Sequence, residues 1–135
     1  MIKKIFKKEK QRPHREIVGI SVTYYLTFDG EEKVEYDSIK KRAIMEDVSK
    51  QGLKLTITPM LDEDLVKQVK KKDAFVFVRM ILPTDNIPID IKGIVKWMDN
   101  DNEYFPSVTV MGAEFINLSA EEKVLISRYM TKKKR

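Results

Sequence analysis

The segment IPIDIKGIVKW places Ile87, Ile89, Ile91, Gly93, Val95 and Trp97 at strict intervals of two. A helix would scatter these positions around its axis, whereas an extended chain lays them along one face. The same signature returns along the chain. IVGISVTYYLTF (17–28) is rich in β-branched and aromatic residues and stops at Asp29-Gly30; residues 35–46 form a weaker strand candidate; a strand runs on through Ile57 and is closed by Pro59. FVFVRMIL (75–82) stops at Pro83, and SVTVMGAEFI (107–116) completes the set. Six strands in an open sheet would leave two edges of unpaired N–H and C=O groups, so the pattern predicts a closed or nearly closed antiparallel barrel. On the period-two face Trp97 falls with Ile89 and Ile91, in the core or at the barrel rim. Tyr24 and Tyr25 are adjacent, so only one of them is expected to face the core.

Two segments carry the other period. Ser119 followed by Glu122 is a capping box, and Leu125, Ile126, Tyr129 and Met130 then make an apolar stripe. LDEDLVKQVKKK (61–72) has acids first, lysines last and Leu65, Val66 and Val69 on one side, which suits a short helix and its dipole. The fold class is therefore all-β with a C-terminal helix, a six-stranded antiparallel barrel. A length of 135 residues suits one such core. The expected organisation is a basic N-terminal arm over 1–16, the barrel with its helix over 17–131, and a basic tail over 132–135. No apolar run approaches the roughly 20 residues that cross a bilayer. The basic start is followed by more charge rather than by a secretory apolar region. The absence of cysteine suits a cytoplasmic location.

Charge is unevenly spread. Lys3, Lys4, Lys7, Lys8, Lys10, Arg12 and Arg15 against Glu9 give +6 over residues 1–15, and the tail from Lys132 to Arg135 adds +4; with a total of +5, the body between them carries −5. Basic ends on an acidic body suit arms that meet a polyanion, whether nucleic acid, phospholipid or a phosphorylated small molecule. Catalysis has little to draw on. His14 is the one histidine, so neither a Ser-His-Asp triad nor a histidine-rich metal site is expected, and no phosphate-cradling glycine pattern is present. The acids Glu31-Glu32 and Asp62-Glu63-Asp64 sit in polar, turn-like stretches that suit a solvated face.

The stretch EDVSKQGLKL (46–55) puts Asp47, Ser49 and Gly52 at a strand-to-strand corner. A carboxylate there can accept two coplanar N–H donors, as the N1–H and N2 amino group of guanine present them; a hydroxyl can donate or accept; a glycine permits close backbone approach. The same residues also suit a plain Asx or Ser turn. Ahead of the first strand, Arg12 and Arg15 can grip phosphate bidentately or stack on a purine.

Taken together, arginines before a first strand, D-V-S-x-x-G-L-x-L, GIVKW and MGAEFINLSAEEKVLISRYM resemble the PilZ domain family, bacterial receptors for the second messenger cyclic di-GMP, over residues 8 to 131. The resemblance implies two half-sites: an Arg-x-x-x-Arg arm embracing phosphates and guanine, and an Asp-x-Ser-x-x-Gly corner reading a guanine. The corner is present as Asp47, Ser49 and Gly52. The arm departs from the pattern. One register sets Gln11 and Arg15 on the two arginines, the other Lys8 and Arg12, where lysine keeps the charge without the fork and glutamine loses the charge. Pro13 restricts Arg12 to extended conformations. Trp97 is a further possible contact, as a rim ring stacking on a base or on an arm arginine.

The resemblance implies a non-enzymatic cytoplasmic receptor with cyclic di-GMP as ligand and no other cofactor. Ligand binding would change the surface offered to a protein partner in motility, secretion or polysaccharide machinery, or to a transcription factor. The alternative is a protein adaptor of the same fold that has lost the nucleotide. A third reading, nucleic-acid binding through the basic ends with Phe28, Trp97 and Tyr104 as stacking platforms, is disfavoured by the acidic body.

Overall fold

The structure, a computed structural model, describes residues 19–103 and 105–133. Its strands are β1 (Ile20–Thr27), β2 (Lys41–Val48), β3 (Gly52–Ile57), β4 (Phe75–Ile81), β5 (Pro88–Asp101) and β6 (Val108–Ile116). Its helices are α1 (Tyr36–Ile39), α2 (Glu63–Lys71) and α3 (Ala120–Lys133). Every strand pair is antiparallel, and the sheet closes in the order β1-β2-β3-β6-β5-β4. The closed six-stranded barrel with a C-terminal helix is the architecture that the alternation predicts.

Inside the barrel Leu55, Met80, Met98 and Met111 are sealed from solvent, and Ile126 of α3 joins them. Each such side chain contributes about 1.5–3 kcal/mol relative to leaving it in water. Helix α3 starts as its capping box requires: Ser119 Oγ accepts the Glu122 N–H at 3.1 Å, and Glu122 Oε1 accepts the Ser119 N–H at 2.9 Å. Its stripe lies on the core, with Leu125 and Ile126 buried and Tyr129 and Met130 partly so. Helix α2 is capped by Asp62, which accepts the Asp64 N–H, and turns Val66 and Val69 inward. Lys70 pairs with Asp99 of β5 at 3.1 Å. Among the described residues no helix is long and apolar enough to cross a membrane.

One expectation gives way here and another holds. The segment 35–46 does not begin as a strand; Tyr36–Ile39 forms one helical turn, and β2 starts at Lys41. The reason is tertiary, because Tyr36 is held across the outside of the barrel. Its hydroxyl lies 2.6 Å from Thr23 Oγ1, its ring meets Tyr25 edge-on at 5.4 Å, and the Arg79 guanidinium sits 4.2 Å from its centroid. The adjacent tyrosines divide as expected, with only one facing the core, although both are buried, at 1% and 4% exposed. Tyr24 points into the barrel as alternation requires. Tyr25 points out, and the segment after β1 folds back over it, with the Lys33 N–H donating to its hydroxyl at 2.8 Å. That return starts at Gly30, whose φ of +71° is open to glycine, with Thr27 Oγ1 accepting its N–H at 3.1 Å.

Candidate functional site

Strict alternation in β2 would send Asp47 inward behind Ala43 and Met45. The ladder to β3 instead slips between Met45 and Asp47, leaving Glu46 as an extra residue. A bulge of this kind restarts the alternation, so Asp47 faces outward and Val48 turns into the core. The Glu46 carboxylate accepts a hydrogen bond from the Thr56 hydroxyl on β3. The same device recurs in β5, where the ladder to β6 slips between Val95 and Trp97. Trp97 is thereby turned out and is 43% exposed, while Met98 goes in. This corrects the expectation that Trp97 shares the face of Ile89 and Ile91. Period two holds up to the bulge and reverses phase beyond it.

The two bulges aim at the same place. Asp47 pairs with Lys54, Lys54 with Gly112, and Gly112 with Trp97, so these four residues form one row across β2, β3, β6 and β5. Gly112 lets the Trp97 indole lie against the strand at the middle of the row, since a Cβ there would overlap the ring. In the adjacent row Gly52 pairs with Glu114, and a Cβ on Gly52 would overlap the Ala113 carbonyl oxygen. The result is a shallow trough of about 320 Å³ on the barrel's outer face, lined by Asp47, Ser49, Gly52, Lys54, Trp97 and Glu114 among others.

Within the corner the residues divide their roles. Ser49 Oγ accepts the N–H groups of Gln51 at 3.1 Å and Gly52 at 3.3 Å and donates to Gln51 Oε1 at 3.1 Å, while its own N–H donates to the Gly52 carbonyl at 2.8 Å. Ser49 therefore builds the turn. The Asp47 carboxylate makes no hydrogen bond or ion pair among the described residues and stands at the trough's edge, able to accept paired donors.

The structure thus brings Asp47, Ser49, Gly52 and Trp97 together. The arm residues Lys8, Gln11, Arg12 and Arg15, and Tyr104, lie outside the described residues. Phe28 is not part of the trough. It lines a separate depression near Leu61 and Leu65, with the Lys72 ammonium 5.9 Å from its ring centroid. Gly112, Lys54 and Glu114 belong to the site and were not singled out from sequence. The available signal was Gly112 itself, a glycine inside a strand, which marks a place where another group comes close. No cluster of His, Cys, Asp and Glu able to hold a metal ion is found among the described residues.

The chain thus combines a closed six-stranded barrel, a capped C-terminal helix and a trough beside its D-x-S-x-x-G corner. The family model described as PilZ domain matches residues 9–132, and the chain belongs to that family. Its fold is similar to that of the Bacillus subtilis Inhibitor of motility (MotI/DgrA), with a TM-score of 0.57 at 13% identity over 88% of this chain and 48% of that one. It is also similar to K. pneumonia MrkH, with a TM-score of 0.55 at 14% identity over 93% of this chain and 50% of that one. At these identities the likeness concerns the fold, and the chain spans about half the length of either protein. Among curated proteins, none matches by sequence.

Proposed function

We propose that this chain is a cytoplasmic receptor for cyclic di-GMP, acting by binding rather than catalysis. What carries the reading is Asp47, a carboxylate with no partner among the described residues, turned outward by a bulge into the trough that Gly52 and the half-exposed Trp97 also line. In this reading Asp47 accepts the N1–H and N2 amino protons of one guanine, Ser49 and Gly52 hold the corner in shape, and Trp97 flanks the base. The trough is near the lower end of the roughly 300–1,000 Å³ usual for ligand pockets, which suits one guanine half. The phosphates and the second half then fall to Arg12 and Arg15, or to Lys8 and Gln11 in part, depending on the register of the arm. The bound complex offers an altered surface to a protein of motility, secretion or polysaccharide machinery.

Calorimetric titration with cyclic di-GMP, with GTP and single-stranded DNA as controls, tests this. Heat is expected with cyclic di-GMP, with a shallow dependence on salt. Tight DNA binding with a steep salt dependence and no heat from cyclic di-GMP would overturn it. Arg15→Ala is expected to remove much of the affinity; loss in Arg12→Ala alone would assign the other register. A second reading, a protein adaptor without nucleotide, draws on the turn itself: Ser49 and Gly52 are both accounted for by folding, through hydrogen bonds and the close approach of Ala113. No heat with any nucleotide would favour it.

A further inference from the structure

On the other side of the Ser49–Gly52 turn lies a second depression, about 630 Å³ in volume, between that turn and the outer face of α3. Lys50 projects to it from the turn, and Lys123, Val124, Arg128 and Lys132 line it from the helix; no acid lines it. Lys50, Lys123 and Lys132 make no ion pair among the described residues. Arg128 is paired with Asp85 at 3.1 Å. Val124 sits within this basic rim with 48% of its surface exposed. Lys123 and Lys132 are about 14 Å apart along the helix at 1.5 Å per residue and half a turn apart around it, so they flank Val124 from opposite edges of the groove.

We propose that this groove docks an acidic segment of a partner protein, with carboxylates on Lys50, Lys123 and Lys132 around one apolar side chain seated on Val124. Charge complementarity selects the occupant. The chain's own first fifteen residues carry +6 and its basic tail begins at Lys132 in the groove's own wall, so neither offers the groove a complementary charge. Nucleic acid is a poorer match, because no aromatic side chain lines the groove to stack a base, and an exposed valine has no use for a phosphate. Lys50 stands between Ser49 and Gln51, so the turn that shapes the nucleotide trough also supplies one wall of the groove. This link rests on the receptor reading; the docking itself does not.

Fluorescence polarisation of a short labelled peptide, in which glutamates flank a single leucine, tests the docking on the intact chain without nucleotide. The same peptide with glutamines is the control. Binding is expected to be stronger for the glutamate peptide, to weaken with salt, and to fall about tenfold or more in the doubly reversed Lys123→Glu, Lys132→Glu variant, with a smaller loss in the neutral Lys123→Gln, Lys132→Gln pair. Val124→Ser is expected to weaken it severalfold. Equal binding of both peptides, or no loss on reversal, overturns the proposal. So does single-stranded DNA competing at lower concentration than the peptide, or self-association that the same reversal abolishes. Cyclic di-GMP is then added: a changed peptide affinity supports the link through Lys50, and an unchanged one overturns that link. Absence of nucleotide binding by calorimetry counts against the receptor reading and leaves the peptide result standing.

Discussion

The barrel treats two stretches of its outer surface in opposite ways. Over β1, β4 and the first half of β5, the segment 30–39 returns and seals the face. Tyr25 stacks on Phe77 at 4.8 Å with planes 10° apart, Arg79 holds Asp90 through two hydrogen bonds of 2.7 and 3.3 Å, and the Lys92 ammonium donates to the Gly30 carbonyl at 2.6 Å while lying over the rings of Phe75 and Phe77. Across β2, β3, β6 and the second half of β5, two bulges and two glycines leave a trough with a half-open tryptophan and a carboxylate unpartnered among the described residues. Both faces carry aromatic and charged side chains. On the sealed face these groups satisfy one another and act on stability; on the open face Trp97 stays exposed and Asp47 has no partner among the described residues.

The largest expected effect lies on the sealed face. Tyr25→Ala removes a stacked ring, an edge-on contact and the acceptor for Lys33, and is expected to cost about 3–5 kcal/mol in urea unfolding, whereas Trp97→Ala costs about 1 kcal/mol or less. Equal losses in the two variants would break the contrast. Gly52→Val comes next, at about 2–3 kcal/mol, because its Cβ meets the Ala113 carbonyl, which belongs to backbone and cannot step aside. Asp47→Ala is expected to leave the unfolding midpoint nearly unchanged while weakening cyclic di-GMP by roughly 1.5–3 kcal/mol, about ten- to a hundredfold, in calorimetry. A variant that unfolds easily would make Asp47 a structural residue instead.

The smallest effect concerns Tyr24, whose hydroxyl is buried without a hydrogen-bonding partner among the described residues and whose pKa burial pushes up to about 12. Tyr24→Phe removes an unsatisfied group, so stability at neutral pH is expected to stay level or rise by up to about 1 kcal/mol. The sign with pH follows from the raised value. The folded state keeps the phenol neutral while the unfolded chain ionises near pH 10, so stability is complete below pH 10 and declines as pH rises from 10 towards 12. Urea midpoints at pH 8 and pH 11 are expected to differ less in Tyr24→Phe than in the parent chain.

What sequence made legible was whatever depends on local pattern. The six strands follow from period two, α3 from its capping box and stripe, α2 from acids leading and lysines trailing, and the Asp47, Ser49 and Gly52 corner from its spacing. The misses share a cause, since each depends on a partner far away in the chain. The bulge at Lys96 exists only in the pairing of β5 with β6, and without it Trp97 reads as a core residue. Tyr25 is buried by a segment that the strand alone does not announce, and Tyr36 is helical because Thr23, Tyr25 and Arg79 hold it. Gly112 shows its meaning once the indole is seen against it.

Trp97 is the chain's one tryptophan and it lines the trough, so its emission reports directly on the claim that the open face holds the ligand. Titration with cyclic di-GMP is expected to change that emission saturably, with the midpoint found by calorimetry, to do so far less with GTP, and to shift at least about tenfold to higher concentration in Asp47→Ala. Calorimetric binding that leaves the Trp97 emission unchanged would put the nucleotide elsewhere on the molecule and contradict the account.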